Sequence, residues 1–269
     1  MTDNSLQPPA YEIINPTGQA DVLLICDHAS AALPTDYGTL GLAPDILRRH
    51  IGWDIGAADV TRRLAELIDA PAVFSGYSRL LFDCNRQPGN PAATPMISDG
   101  IVVPGNQDLS ADEINNRQKL YFDPYHRAVE QQLNGFAERD VIPALISMHS
   151  FTPVMDGFER PWHVGLLTNR DERLVSDMLH SLRTHSGVVA DQNVPYSGDD
   201  PSGYTVHVHG EERGVPCVAV EIRQDLIDTH HGAQTWAGLM AGAVQDTLKN
   251  TRPFSLQPNS DWHGALETG

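Results

Sequence analysis

Short blocks of consecutive apolar residues alternate along the chain with longer stretches whose apolar positions recur every three or four residues. Val22-Leu-Leu-Ile-Cys26, Ala72–Ser75, Leu80–Phe82, the run opening at Ala144, Val164–Thr168, Val188–Ala190 and Val215–Ile222 are of the first kind. Apolar runs of this length predict strands buried on both faces of a sheet. Ile55–Ala70 is of the second kind, with Val60, Leu64, Leu67 and Ile68 on one face and Asp54 at the expected N-cap. Ser110 and Glu113 form a capping box that opens a helix to about Phe122, and Asp123-Pro124 starts another with Val129, Leu133 and Phe136 on its apolar face. Glu172–His185 and Gln234–Leu248 complete the helical set. Strands alternating with helices predict one doubly wound, largely parallel α/β sheet. The whole of 1–269 reads as a single catalytic domain, with 1–20 as a polar lead-in and 251–269 as a peripheral polar tail.

Several of these strands break off at polar residues. The first runs into Asp27-His28, the segment after Leu80–Phe82 is Asp83-Cys-Asn-Arg86, the fourth reaches His149-Ser150 ahead of Pro153, and the last ends in Glu221-Ile-Arg223. Each has an ordinary structural explanation when taken singly: a satisfied histidine at a strand end, a surface ion pair, a solvated carboxylate. Open α/β sheets, however, bind ligands beyond the carboxyl ends of their strands. Gathered at that edge, these residues amount to metal ligands, an anion clamp and a carboxylate base. Two imidazoles and a carboxylate leave an open position on Zn²⁺, from which the metal acidifies water and polarises a carbonyl. Glu221 follows the apolar Val218-Ala-Val220, and a carboxylate beside such a wall has its pKa raised towards the range of a general base. The segment Gly89–Leu109, rich in Gly, Pro, Asn and Asp, has the length of a functional loop, and Asn193–Tyr204 is a further loop with the turn residues Pro, Ser, Gly and Asp.

Composition narrows the partners. The 35 acidic residues against 18 basic ones give a formal net charge of -17. This argues against sequence-independent binding to nucleic acid or to an anionic membrane, while a small anionic substrate needs only one or two placed arginines. No apolar run has the length of a membrane span, and Met1–Pro9 lacks the basic and apolar regions of a signal peptide. Cys26, Cys84 and Cys217 are odd in number and far apart, as expected of buried thiols in a reducing cytoplasm.

Asp83-Cys-Asn-Arg86, His149-Ser-Phe151 and Glu221-Ile-Arg223 resemble three ordered landmarks of the zinc carboxypeptidases, and His28 matches their first. More closely, the chain resembles the N-formylglutamate amidohydrolase family. Asp27-His-Ala-Ser30, His50–Ala57, Tyr77–Arg86, Pro124-Tyr-His126, His149–Pro153, Arg160–Gly165 and Glu221–Leu226 carry that likeness over about residues 22–248. The resemblance implies a three-layer α/β/α domain with a mostly parallel mixed sheet, of the zinc-exopeptidase (phosphorylase/hydrolase)-like type. It also implies hydrolysis of N-formyl-L-glutamate to formate and L-glutamate, as in histidine breakdown, with one divalent metal, zinc first among them. Glu221 is then the catalytic base, Asn85 and Arg86 clamp the α-carboxylate, and Ser150 neighbours the substrate. Arg79, Arg160 and Arg223 are candidates for the second carboxylate.

One position departs from the carboxypeptidases, whose ligand glutamate three residues after the first histidine is replaced here by Ala31. The carboxylate ligand must come from elsewhere. Asp54 is preferred to Asp27, because neighbouring side chains on an extended strand point to opposite faces. His209 is a further ligand or proton-shuttle candidate, although a surface-loop histidine is its ordinary reading. Three other functions remain open: a deacylase or carboxypeptidase-like hydrolase of another N-acyl amino acid or short peptide, a non-catalytic binding protein on a decayed hydrolase scaffold, and a metal-free Ser–His hydrolase. The last lacks a Gly-x-Ser-x-Gly elbow around Ser150.

Overall fold

The computed structural model describes residues 7–197, 203–252 and 254–257. Seven strands form one sheet: β1 (Tyr11–Ile14), β2 (Val22–Cys26), β3 (Ala72–Ser75), β4 (Ala144–Phe151), β5 (Val164–Leu167), β6 (Ala190–Gln192) and β7 (Cys217–Arg223). Their order across the sheet is β1-β3-β2-β4-β7-β5-β6. The four strands β3, β2, β4 and β7 run parallel, whereas β1 is antiparallel to β3 and β5 is antiparallel to β7. Five helices accompany the sheet: α1 (Ala57–Ile68), α2 (Ala111–Arg117), α3 (Asp123–Ala137), α4 (Val175–Arg183) and α5 (His230–Thr251).

The apolar runs are continuous because both faces of the sheet are covered. Val22, Leu24 and Cys26 of β2 pack with Val60 and Leu64 of α1 and with apolar residues of α4 and α5. The alternate residues Leu23 and Ile25 pack with Val129 and Leu133 of α3 on the other side. Helix, sheet and helix therefore make three layers, as the alternation of elements predicts. The three cysteines are free and buried within them, and burial pushes each thiol well above its ordinary pKa.

Four local expectations change. The lead-in is not all peripheral, since Tyr11–Ile14 closes one edge of the sheet, where Glu12 pairs with Arg62 of α1. The expected strand Leu80–Phe82 is a turn. The Ser78 hydroxyl accepts from Leu80 N (3.2 Å) and donates to Gly52 O (2.7 Å), so a side chain supplies the bonds a neighbouring strand would otherwise make. Leu80 and Phe82 then point into two separate small cores. The helices expected on either side of Asp123 are continuous through a widened turn at Gln118–Phe122, which accommodates the missing N–H of Pro124. Finally, Asp54 is not an N-cap. Helix α1 begins at Ala57 behind Gly56, whose φ of 78° is left-handed and whose added Cβ would lie 2.2 Å from Ile227 O. That arrangement frees the Asp54 carboxylate for other partners. The expected tail lies largely outside the described residues, as does the centre of the Asn193–Tyr204 loop, and no described helix is long and apolar enough to cross a membrane.

Candidate active site

The carboxyl ends of β2, β4 and β7 lie side by side, and the register brings His149 opposite Glu221. The strand β2 stops at Cys26, so Asp27 and His28 turn away in different directions. A backbone bond from Asp54 N to His28 O (3.0 Å) holds the start of the α1 loop against this end. Asp54 Oδ2 is thereby set between two imidazoles, 3.3 Å from His28 Nδ1 and 2.8 Å from His149 Nδ1. Ser150 N donates to the same oxygen (3.3 Å), and Ser150 Oγ donates to Ile55 O (2.9 Å). The serine hydroxyl thus binds the loop to the strand, and its proton is directed at a carbonyl instead of an imidazole.

One donor atom from each of His28, Asp54 and His149 lies within 4.8 Å of the others, and all three residues are buried. Behind each ring stands a second carboxylate. His28 Nε2 is 2.8 Å from Asp83 Oδ1, and His149 Nε2 is 3.1 Å from Asp27 Oδ2. An imidazole that donates from Nε2 to a carboxylate presents Nδ1 as its lone-pair nitrogen, the usual arrangement behind metal-bound histidine. Asp27 is itself fixed by Tyr125 Oη (2.9 Å), Thr205 Oγ1 (2.6 Å) and Ser147 Oγ (2.9 Å). Arg79 spans Asp83 Oδ2 (3.0 Å) and Asp54 Oδ1 (3.3 Å).

The charges are strongly interdependent. Burial opposes ionisation of Asp54, yet His28 and His149 draw its pKa well below the ordinary range. Asp27 and Asp83 are lowered in the same way, against burial, by the histidines they face. Burial likewise disfavours the imidazolium of His149, but Asp27 and Asp54 outweigh it and raise that pKa well above normal. Glu221 goes the other way: burial and the neighbouring Asp54 carboxylate push it up to about 7, despite His149. Its Oε2 is buried and has no hydrogen-bond partner among the described residues.

An ion bound through both Nδ1 atoms would take the place of the imidazole protons, and the three aspartates with Arg79 would then carry two net negative charges. A divalent cation balances them. The donor set therefore fits a metal held by His28, Asp54 and His149, with Asp27 and Asp83 orienting the rings. Removing the carboxylate behind a ligand histidine typically costs ten- to a hundredfold in metal affinity. Asp27→Asn is accordingly expected to weaken zinc binding about 10–100-fold in a competitive chelator titration while leaving one site per chain.

A model of the N-formylglutamate amidohydrolase family matches residues 20–228. The chain belongs to that family. It is accordingly an enzyme acting on an amide bond. Among solved structures, a gene product of Agrobacterium tumefaciens is 35% identical, covering 91% of this chain and 96% of its own, with a TM-score of 0.87. The N-formylglutamate amidohydrolase of Ralstonia eutropha shares the fold at 19% identity and a TM-score of 0.66, covering 92% of this chain and 99% of its own. No curated protein matches the chain.

The remaining candidates fall in different places around this amidohydrolase site. Arg79 and Arg86 are not on one strand, because both leave the turn that replaces Leu80–Phe82. Asn85 Oδ1 accepts from Thr205 N (3.0 Å), and Arg86 Nη1 donates to Asn85 O (3.3 Å). Arg160 is buried and lies over the rings of Phe151 (5.7 Å) and Tyr196 (5.0 Å). Arg223 Nε donates to Asp225 Oδ1 (2.8 Å), and Arg223 Nη1 donates to Arg160 O (3.2 Å).

Some contributors carried no clear signal in the sequence. Ser147 was accessible, being two residues before His149 on the same face of β4. Thr205 and Tyr196 were not, since only the fold brings them to the strand ends, and Tyr125 was marked only by the family-like stretch Pro124-Tyr-His126.

His209 is not a surface histidine and does not reach the Asp54 cluster. It is 4% exposed and stacks on His126 at an interplanar angle of 10°. His126 Nε2 donates to Cys84 O (2.8 Å), so its Nδ1 must accept from His209 Nε2 (3.0 Å). His209 Nδ1 is left buried without a partner. Burial lowers the pKa of His126 to about 4 and of His209 to about 3. Both stay neutral in the native state where the unfolded chain protonates them. Their effect is thus a loss of stability as pH falls below the unfolded value of about 6.5, continuing down to the native values. His209→Gln keeps the donor to His126. Between pH 7 and pH 5 it is expected to lose about 2 kcal/mol less than wild type in denaturant unfolding. Parallel losses in the two proteins would contradict the neutral, buried assignment.

Proposed function

We propose that this amidohydrolase uses a divalent metal, with zinc the best match to two imidazoles and a carboxylate, to hydrolyse N-formyl-L-glutamate to formate and L-glutamate. One observation carries the reading: two Nδ1 atoms and a carboxylate oxygen converge on the strand ends beside buried Glu221, whose Oε2 has no hydrogen-bond partner among the described residues, in a chain of this family. His28, Asp54 and His149 hold the ion. Bound there, it supplies Lewis acidity towards the formyl carbonyl and acidifies water.

The protein does the rest. Glu221 takes a proton from the attacking water and returns it to the nitrogen of the leaving amine, as the new C–O bond forms and the C–N bond breaks. Its raised pKa suits both halves of that exchange. Asn85 and Arg86 hold the α-carboxylate, and Ser150 keeps Asp54 in place. Such a reaction belongs in histidine breakdown.

The competing substrate class is another N-acyl amino acid. Formate release from N-formylglutamate, set beside acetate release from N-acetylglutamate, separates the two. A formyl-to-acetyl preference of about 100-fold is expected, within the 10–200-fold discrimination that one extra carbon group ordinarily gives. Equal rates on both would shift the assignment to a general N-deacylase.

A further inference from the structure

The arginines near the site differ in what already answers their charge. Arg79 is paired with Asp54 and Asp83, and Arg223 with Asp225. Arg160 is buried too, with 7% of its surface exposed, yet no carboxylate among the described residues lies within ion-pair distance of it. Its three side-chain hydrogen bonds all leave from Nη1, to Thr152 O (3.2 Å), Thr152 Oγ1 (3.1 Å) and Tyr196 Oη (3.4 Å). The edge formed by Nε and Nη2 makes none among the described residues. That edge matches the two oxygens of a carboxylate.

The guanidinium is also held rigid. The rings of Phe151 and Tyr196 lie against it, and its backbone is fixed at both ends, Arg160 N donating to Pro153 O (2.8 Å) and Arg160 O accepting from Arg223. It stands close to the chemistry. Phe151 is two residues beyond His149 on β4, and the Tyr196 phenol lies within the fields of Glu221 and Asp54. Arg160 is thus a buried cation that has hydrogen bonds and ring contacts but no counter-ion among the described residues, and a bound anion would supply one.

We propose that Arg160 binds the side-chain carboxylate of the substrate, selecting N-formyl derivatives of dicarboxylic amino acids over neutral ones. This assignment rests on the N-formyl amino acid hydrolysis proposed for the same site. Arg223 then acts as a positioning residue for Arg160.

The test is kcat/KM on N-formylglutamate and on its neutral isostere N-formylglutamine, for zinc-supplemented wild type, Arg160→Gln and Arg160→Lys, with thermal midpoints alongside. Wild type is expected to favour the diacid about 100-fold, the scale of a charged hydrogen-bonded pair. In Arg160→Gln the ratio falls to near 1 through loss on the diacid. Arg160→Lys keeps the charge without the fork and retains about a tenfold preference. If Arg160→Gln does not fold, Arg160→Lys decides: a lowered ratio at a wild-type midpoint supports the assignment, and an unchanged ratio overturns it. A wild type that hydrolyses both substrates equally well also overturns it, as do variants whose two rates fall together. A wild type that releases formate from neither substrate overturns the underlying reading instead.

Discussion

Glu221→Gln is expected to lower kcat for formate release by about 10³–10⁴-fold while KM and bound metal stay near wild type. The substitution keeps the shape of the side chain and removes its capacity to take a proton. Three features make the effect large. Glu221 is 8% exposed, its Oε2 has no other partner to satisfy, and the register sets it opposite His149 on the adjacent parallel strand. Because Glu221 is not among the three grouped donors, the metal has no reason to leave. The variant therefore separates proton transfer from metal binding. A variant with unchanged kcat would remove Glu221 from the chemistry. One that lost its metal as well would make Glu221 a ligand instead of a base.

His149→Ala has the second large effect, acting on the metal. It takes away one of three donors and leaves Asp27 a buried carboxylate that has lost one hydrogen-bond donor. The cost is expected at about 2 kcal/mol of stability, the scale of a hydrogen bond to a charged group, because Tyr125, Thr205 and Ser147 still donate to Asp27. Metal content is expected to fall to near zero and kcat/KM by at least about 10⁴-fold. His28→Ala is expected to lose metal in the same way, with Asp83 still held by Arg79 and Asn85 N. By contrast, Ser150→Ala is expected to keep activity within about tenfold, since its hydroxyl makes one loop-holding hydrogen bond. A Ser150→Ala enzyme as inactive as His149→Ala would revive a serine nucleophile. Metal content and formate release measured on the same preparations distinguish these outcomes.

The three-layer architecture was legible in the sequence because strands buried on both faces leave apolar runs, and Val22–Cys26 and Ala144–Ile146 are such runs. The polar residues that end them marked the chemistry for the same reason, since charge attached to a buried strand is costly unless it has a partner. What could not be read was which partner. Asp54 was preferred as the carboxylate ligand but also carried the marks of a helix cap, and the left-handed turn at Gly56 shows that the helix starts later and the carboxylate faces the histidines. Leu80–Phe82 has the composition of a strand, yet Ser78 closes it into a turn and its apolar side chains serve two different cores. Asp27 was ranked below Asp54 as a ligand on the premise that β2 continued through His28. The strand ends at Cys26, and Asp27 reaches His149 from behind, where no sequence spacing links it to Tyr125 or Thr205. His209 was misjudged because a Val-His-Val-His-Gly stretch gives no hint of the stacked His126 beneath it.

The account stands or falls on whether amide hydrolysis depends on an ion held by His28, Asp54 and His149. The direct measurement is formate release from N-formylglutamate by one preparation whose metal content is determined before chelation, after chelation and after zinc is returned. One divalent ion per chain, loss of activity with its removal and recovery with its return are the predicted results. Full activity in the metal-free protein would contradict the account.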